Sequence, residues 1–282
     1  MLTRLGDVEI WRILESVDPF LDPLDFFPEM EADGLDTIRA ETPRQICPDT
    51  GQMLIPIQGF LLKTPDHVIL VDTCVGNDKT FPQVPQWQGR SGTRFLAALQ
   101  AAGVTPDDVT HVLCTHIHID HIGWNTRLEA GRWVPTFPNA RYLLPKVDCD
   151  QLAAEKSPLF TESVLPVVEA GQAELVEGDR RIGDVVEIVP TPGHTAGHVS
   201  VLVQAAGRKA MIAGDAIHST VQCGRPHWTF RYDFDKALAV RTRRKLLVDS
   251  ASDGRLFIAS HFLLPSLGRV EAQGDVFRWA EA

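Results

Sequence analysis

The sequence has no stretch of about 18 consecutive apolar residues, so no membrane span is expected. Its start, MLTRLGDVEIWRIL, lacks the charged region and the continuous apolar region of a secretory signal. The 5 cysteines are scattered and form no C-x-x-C pair, which favours reduced thiols over a disulfide framework. Together these absences predict a cytoplasmic protein without a membrane partner.

Basic clusters are also scarce. The chain carries 27 Lys and Arg against 37 Asp and Glu, for a formal net charge of -10. The one basic run, RTRRK at 241–245, lies in an amphipathic pattern and is predicted to be the solvated face of a helix. Because nucleic-acid-binding domains present a basic patch, we expect no nucleic-acid partner.

The composition is that of a globular protein, with 282 residues of which 44% are hydrophobic and 23% charged. In each half of the chain, strand-like runs dominate the middle and helical patterns accompany them. Strands are predicted at 67–73, 110–115, 185–191, 198–204, 209–215 and 255–260, and helices at 93–103 and 235–254. This order predicts an α/β protein with two similar halves, each a sheet backed by helices. Since no linker separates the halves, we expect a single domain over residues 1–282.

Residues 15–50 differ from the rest, being rich in Pro and acidic residues with Phe20, Phe26 and Phe27 between them. We predict an irregular N-terminal arm with short helical turns that packs by its aromatic side chains. A disordered tail is the alternative, and the frequent Phe and Leu argue against it.

The segment THIHIDHIGWN, 115–125, concentrates ionisable side chains directly after the apolar run THVLC. Burying unpaired imidazolium or carboxylate groups is costly unless a hydrogen-bond network or a metal ion satisfies them. In an extended segment, His116, His118 and Asp120 point to one side and His121 to the other. The spacing therefore predicts two adjacent sets of metal ligands.

Four other polar residues follow strand-like runs or lie in a Gly/Pro loop. Asp72 follows VILV, His194 lies in TPGHTAGH, Asp215 follows AMIA and His261 follows RLFIA. A lone His after a strand is more often a hydrogen-bonded structural residue than a ligand. The joint pattern predicts one site assembled from loops at strand ends.

The motif H-x-H-x-D-H, present as His116 to His121 and followed in order by His194, Asp215 and His261, resembles that of the metallo-β-lactamase superfamily. The resemblance covers about residues 55–270. It implies an αββα sandwich, with two mixed β-sheets packed face to face and helices on the outer faces.

The resemblance also implies two divalent metal ions. One would be bound by His116, His118 and His194, the other by Asp120, His121 and His261, and Asp215 would bridge both. Asp72 would orient ligand imidazoles, and His198 would support a neighbouring ligand or be structural. Zn²⁺ is the expected metal because the set is rich in histidine, although Fe, Mn and Co suit the same donors.

Within the superfamily the chain looks similar to the lactonases and to methyl-parathion-hydrolase-like enzymes. This implies a dinuclear hydrolase that opens lactones or cleaves related esters with a metal-bridging hydroxide. A phosphotriesterase or arylesterase activity on the same site is the alternative. Many quorum-quenching lactonases have Tyr where this chain has His218, and many relatives have Gly where it has Cys74, which we interpret as a packing residue.

The predicted catalytic residues are Asp120, Asp215 and His218. Asp120 or Asp215 would pass a proton to the leaving alkoxide. His218 would donate a hydrogen bond to the substrate or the leaving group, or would only support a neighbouring ligand.

Three other classes fit less well. True β-lactamases lack an Asp at the bridging place, where this chain has Asp215. A flavodiiron oxidoreductase would carry a carboxylate at the place of His118. A non-catalytic scaffold would be expected to lose metal ligands, whereas all seven are present here.

Specificity is poorly encoded. Aromatic and His side chains near the motifs are candidates for substrate binding, and each of them could equally be core: Phe81, Trp87, Trp124, His227, Trp228 and Phe262. They favour a small apolar lactone or ester, and the few basic residues around them argue against a nucleotide or a glutathione thioester.

We also expect a homodimer, since the apolar groups of the N-terminal arm need covering. An arm packed wholly on its own chain is the alternative.

Overall fold

The computed structural model describes residues 1 to 282. The chain forms two compact units, the first from Met1–Ser16 and Ile57–Val185, the second from Val17–Pro56 and Val186–Ala282. The predicted division into two sheet-containing halves agrees with these units, except that the arm belongs to the second unit. That the whole chain is one domain stays a prediction.

The strands are β1 (Thr3–Leu5), β2 (Val8–Pro19), β3 (Leu54–Lys63), β4 (Val68–Val71), β5 (His111–Leu113), β6 (Thr126–Glu129), β7 (Arg132–Pro135), β8 (Arg141–Pro145), β9 (Ala173–Val176), β10 (Arg180–Ile182), β11 (Val186–Pro190), β12 (Val199–Ala205), β13 (Arg208–Ile212), β14 (Leu256–Ile258), β15 (Leu267–Gln273) and β16 (Val276–Glu281). The helices are α1 (Pro23–Phe26), α2 (Gly34–Glu41), α3 (Arg94–Ala101), α4 (Lys146–Ala154), α5 (Pro158–Ser163), α6 (Leu165–Glu169), α7 (Val221–Gly224) and α8 (Lys236–Asp253).

The sheet of the first unit has the strand order β1-β2-β3-β4-β5-β8-β9, and β6 and β7 form a separate hairpin. β3 and β4 are antiparallel, whereas β4, β5, β8 and β9 run parallel. Val71 at the end of β4 pairs with Leu113 at the end of β5. Because the carboxyl ends of these parallel strands meet at one edge, the loops that follow them start side by side.

The sheet of the second unit contains the order β11-β12-β13-β14-β15-β16. Its central pair, β13 and β14, is parallel, and the flanking pairs are antiparallel. Helix α8 contributes Leu246 and Leu247 to a buried cluster with Met211, Phe257 and Val270 of the sheet. The two sheets are both mixed, so the predicted α/β class is confirmed.

Helix α8 has sequence-encoded ends. The side chain of Asp235 accepts the backbone N–H of Leu238 at 2.8 Å, which satisfies one free donor of the first turn. Gly254 ends the helix in a left-handed conformation with φ 63, as the sequence predicts for a glycine at this place.

The arm differs from its prediction at its start. Residues up to Pro19 continue strand β2, in which Val8, Ile10 and Ile13 are buried at alternating or near-alternating positions. The remainder does carry short helices, as predicted. Phe26 and Phe27 are fully buried and pack against Phe230 and Trp228 of the same unit. Since the chain itself covers these rings, they give no reason for a partner, and the homodimer stays a prediction.

No helix of the chain is both long and apolar enough to cross a bilayer. All 5 cysteines are free and buried.

Candidate metal centre

The first cluster of candidate ligands follows strand β5. His116 and His121 are buried and their ring centroids lie 4.1 Å apart. Nε2 of His116 is 3.0 Å from Nδ1 of His118, and Nε2 of His121 is 3.6 Å from a carboxylate oxygen of Asp120. The first unit therefore brings together the four donors that the motif predicts.

Asp72 holds this loop from the end of β4. Its buried carboxylate accepts the backbone N–H of Thr115 at 2.7 Å and lies 2.9 Å from Nδ1 of His121. A carboxylate on Nδ1 fixes the ring so that Nε2 faces the other donors. Asp72 adopts a left-handed conformation with φ 60, and its carbonyl oxygen would lie only 2.3 Å from a Cβ at position 59, so that position requires Gly59.

The second cluster surrounds one carboxylate oxygen. Oδ2 of Asp215, in the turn after β13, lies 3.1 Å from Nε2 of His261, 3.2 Å from Nε2 of His218 and 3.5 Å from Nε2 of His194. Each of the four side chains is at most 3% exposed. The second unit thus places three buried imidazoles around one buried carboxylate.

Hydrogen bonds at Nδ1 fix the orientation of two of these rings, those of His261 and His194. Nδ1 of His261 lies 2.9 Å from the backbone oxygen of Pro56, which can only accept, so His261 donates through Nδ1. Nδ1 of His194 lies 3.0 Å from Oδ1 of Asp233. Both contacts leave Nε2 as the donor atom that faces Asp215.

His198 is used differently. Its Nε2 accepts the backbone N–H of Asp215 at 3.0 Å, and its Nδ1 lies 2.8 Å from the hydroxyl of Thr191. Nε2 therefore supports the turn that presents Asp215, and Nδ1 anchors the ring to Thr191, in keeping with the supporting or structural role expected from the sequence.

His218 lies against aromatic side chains. Its ring stacks on Phe230 at 4.0 Å between centroids, and the edge of Phe26 lies 6.2 Å away. Burial is the main cause that lowers the pKa of His218 to about 4, against the opposing effect of the Asp215 carboxylate. The imidazole is therefore neutral near pH 7, and Nδ1 has no hydrogen-bond partner.

The donor set fits a divalent ion. The ligand atoms of His194, Asp215 and His218 all lie within 4.8 Å of one another. A tetrahedral ion with bonds of about 2.0–2.1 Å places its donors roughly 3.3 Å apart, and the distances of His194 and His218 to Asp215 bracket that value. Imidazole nitrogen with carboxylate oxygen is a donor set that Zn²⁺ accepts. His218, which the sequence suggested as a catalytic group or as support for a neighbouring ligand, is thus also within reach as a ligand.

Asp233 was missed by the sequence analysis. It lies in the segment RYDFD, which follows no strand-like run and matches no motif, so no local signal marks it. Arg243 was misassigned, because the basic run 241–245 was predicted to be a solvated helix face and this side chain is 1% exposed. The other charged residues of the run are exposed as predicted.

Most of the predicted substrate-binding residues are buried in core contacts. Phe81, Trp87 and Trp124 in the first unit, and Trp228 and Phe262 in the second, are at most 4% exposed. Trp124 stacks on Phe95 at 5.2 Å and donates to Glu15 at 2.6 Å.

The second-unit candidates have similar surroundings. Phe262 packs on Trp279, and Trp228 donates to Glu31, which also bonds the half-exposed His227. A role of all these residues in substrate binding stays a prediction.

Cys74 is fully buried, and burial raises its pKa well above the ordinary value for a thiol. Its Sγ contacts the backbone oxygen of Ile13 at 3.9 Å. A thiol kept protonated in the core is unreactive, which supports the interpretation as a packing residue.

Comparison with solved structures establishes the fold. AidC, a dizinc quorum-quenching lactonase, superposes with a TM-score of 0.82 at 23% identity, over 99% of this chain and 96% of that chain. The hydrolase AbOPH superposes with a TM-score of 0.83 at 23% identity, also over 99% of this chain and 96% of that chain. The predicted metallo-β-lactamase fold is therefore confirmed.

Sequence relatives match a smaller part of the chain. An N-acyl homoserine lactonase of Bacillus sp is 27% identical over 167 residues, which span 55% of this chain and 61% of the relative. A hydroxyacylglutathione hydrolase of Synechococcus sp. is 33% identical over 137 residues, which span 46% of this chain and 43% of the relative. The sequence pattern of the metallo-beta-lactamase superfamily matches residues 56–253, well over half of the chain. The chain belongs to the metallo-beta-lactamase superfamily.

Proposed function

We propose that the protein is a metal-dependent hydrolase that opens lactones, or cleaves related carboxylic esters, of small apolar compounds. One observation carries the proposal: three buried Nε2 atoms lie 3.1, 3.2 and 3.5 Å from a single carboxylate oxygen of Asp215. A bound divalent ion would offset the cost of burying these polar groups, and the donor atoms suit such an ion. Lactone opening is favoured because the Bacillus relative and AidC are both named lactonases.

The proposed metal content is two divalent ions per chain, Zn²⁺ before Fe, Mn or Co. It rests on the order of ligand types along the sequence and on the donors gathered within each unit. His116, His118, Asp120 and His121 would be the ligands from the first unit, and His194, Asp215 and His261 those from the second. When bound, such ions lower the pKa of water toward neutrality and polarise a carbonyl oxygen.

The side chains of the site would balance the charge of the ions, position the ligands and assist the leaving group. Asp215 supplies the negative charge that offsets the cations, and the contacts behind His194 and His261 hold their rings in position. His218 is neutral near pH 7 because burial lowers its pKa to about 4. A neutral imidazole can donate an N–H hydrogen bond to an alkoxide as it leaves the acyl carbon, which favours breakdown toward products.

Aromatic rings extend from the ligands of the second unit to the surface. Phe230 stacks on His218 at 4.0 Å, Tyr232 packs on Phe230 at 5.5 Å, and Phe20 lies 6.3 Å from Tyr232. Phe230 is 6% exposed, whereas Tyr232 is 52% exposed. We therefore propose that this row of rings binds the apolar chain of the substrate, since aromatic side chains offer a large apolar surface whose burial is favourable.

A substrate panel on zinc-loaded protein tests the activity. It should include γ-lactones with acyl chains of increasing length, a δ-lactone, a nitrophenyl ester and an aryl phosphotriester. We expect the lactones to be hydrolysed with the highest kcat/KM, and more efficiently as the apolar chain lengthens. Protein stripped of metal serves as the control. Turnover of the phosphotriester without turnover of any lactone would replace the proposal by its alternative.

A further inference from the structure

Helix α8 carries a guanidinium where helices rarely place one, in the buried interior of the second unit. Arg243 is 1% exposed, although its neighbours Arg241 and Arg244 face solvent. A buried charge of this kind is tolerated only when hydrogen-bond acceptors and an opposite charge surround it. The hydrogen-bond acceptors of Arg243 therefore identify the segments that its side chain holds in position.

One acceptor lies in the turn that carries Asp215 and His218, and the other three lie in residues 226–233. Nε of Arg243 donates to the backbone oxygen of Ala216 at 2.9 Å, in the turn between Asp215 and His218. Nη1 donates to the backbone oxygens of Pro226 and Trp228, both at 2.9 Å. Nη2 lies 3.4 Å from Oδ2 of Asp233.

The Trp228 oxygen extends this contact to His218. It also accepts the side-chain amide of Gln222 at 2.8 Å, and the amide oxygen of Gln222 accepts the backbone N–H of His218 at 2.7 Å. Arg243 and Gln222 thus both donate hydrogen bonds to the Trp228 carbonyl oxygen.

Asp233 is the link to His194. Its Oδ2 accepts the backbone N–H of Phe230 at 3.0 Å as well as facing Arg243, and its Oδ1 lies 3.0 Å from Nδ1 of His194. Asp233 is buried, and the guanidinium of Arg243 supplies the opposite charge that a buried carboxylate requires. The carboxylate is therefore fixed at both oxygens.

We propose that Arg243 is a positioning residue, which holds Asp233 so that His194 keeps its proton on Nδ1 and presents Nε2 as a metal donor. Its side chain reaches no reacting group. It acts through Asp233 on His194 and through the Ala216 carbonyl on the turn of Asp215. The inference rests on the proposed function only in placing these residues in the same metal centre, and it makes no use of the substrate.

The test measures zinc affinity by competition with a chelator, together with the melting temperature of the metal-free protein. Arg243→Lys keeps the positive charge but loses the planar fork that reaches four acceptors. Asp233→Asn keeps size and shape but loses the charge. Each is expected to lower the affinity for the more weakly held zinc by about 10- to 100-fold, the usual effect of losing a residue that orients a ligand. Arg244→Met, on the exposed face of the same helix, should leave the affinity unchanged.

A double variant distinguishes a shared path from two separate effects. If Arg243 acts through Asp233, Arg243→Lys combined with Asp233→Asn should bind zinc about as weakly as the weaker single variant. Co²⁺-loaded protein adds a spectroscopic signature, because the visible bands of the ion should shift in both single variants when the His194 ring moves.

A merely structural role predicts a different result, namely a lower melting temperature of the metal-free protein with wild-type zinc affinity and unchanged cobalt bands. That result overturns the inference. If Arg243→Lys does not fold, the test relies on Asp233→Asn alone. Wild-type zinc affinity in that variant also overturns the inference. Failure of the proposed function shows separately, as wild-type protein that binds zinc but opens no lactone.

Discussion

Nε2 of His261 lies 3.1 Å from Oδ2 of Asp215, while Nδ1 of the same ring donates to the backbone oxygen of Pro56 at 2.9 Å. The hydrogen bond to a carbonyl determines the tautomer, because a carbonyl cannot donate. His261 therefore faces Asp215 with a lone pair, and a lone pair facing a carboxylate is unfavourable unless a cation or a proton lies between them.

Metal removal should accordingly destabilise the protein. Fully loaded protein is expected to contain about two zinc ions per chain, and a chelator should lower the melting temperature by about 5–10 °C, which added zinc should restore. An ion at 100 times its Kd stabilises the native state by about 2.7 kcal/mol, and chains of this size gain about 2–4 °C per kcal/mol. Elemental analysis and calorimetry check both values. A folded protein without metal after supplementation would contradict the assignment of the centre.

Asp215→Asn should separate folding from metal binding. The amide keeps the size of the side chain but removes the charge that three imidazoles face, so we expect loss of at least one ion and a fall in kcat/KM of roughly 100-fold or more. Asp249→Asn is the matched control, since that carboxylate pairs only with Lys245 on the surface of α8. Near wild-type turnover with both ions retained would show that Asp215 does not hold the metal.

Tyr232→Ala should change the preference for chain length. The side chain is half-exposed and packs on Phe230 and Phe20, so its loss removes apolar contact from the outer part of the row of rings. At roughly 25 cal/mol per Å², losing about 40–60 Å² of contact should raise KM about 5- to 13-fold for long-chain lactones, and short-chain lactones should be unaffected. Val248→Ala removes an equally exposed apolar group from α8 and serves as the control. An equal effect on both chain lengths would exclude the row as the chain-binding surface.

Lys79 predicts a pH dependence of stability in the first unit. Its Nζ donates to Thr126 at 2.6 Å and to the backbone oxygen of Glu162 at 3.0 Å, two bonds that a neutral amine can also make. Burial lowers the pKa of Lys79 from 10.5 to about 7, against weaker effects of Glu162 and Asp78. The unfolded chain therefore binds more protons between about pH 7 and 10.5, and the stability of the folded protein rises with pH in that window.

Lys79→Met removes this titration. Urea unfolding should show the wild type gaining about 2 kcal/mol relative to the variant between pH 7 and pH 9. A constant difference between the two proteins over this range would mean that the ammonium stays charged when buried, stabilised by the ring of Trp133 that lies 3.6 Å from Nζ.

The parts of the fold that the sequence predicts are those with local signals. Asp72, His116, Asp215 and His261 were found because each follows an apolar run, and those runs form β4, β5, β13 and β14. The ends of α8 were predicted because a cap acts on the residues beside it in sequence.

What the sequence did not predict depends on residues distant along the chain. Arg243 looks like its exposed neighbours until the backbone oxygens of Ala216, Pro226 and Trp228 close around it. The burial of Trp124 likewise depends on Glu15, 109 positions earlier, which accepts its indole N–H. Such partners have no spacing that a helix or strand period could reveal.

His218→Ala tests whether this ring assists the leaving group. An alkyl lactone leaves as a strongly basic alkoxide that needs a hydrogen bond or a proton, whereas nitrophenolate leaves unaided. Loss of the imidazole should therefore lower kcat for alkyl lactones by about 10- to 1000-fold and spare nitrophenyl esters and phosphotriesters. Metal content must be measured in the same samples, because Nε2 of His218 is also within ligand distance of the Asp215 and His194 donors. Loss of metal with equal losses on all substrates would identify His218 as a ligand, and unchanged turnover on every substrate would remove it from the mechanism.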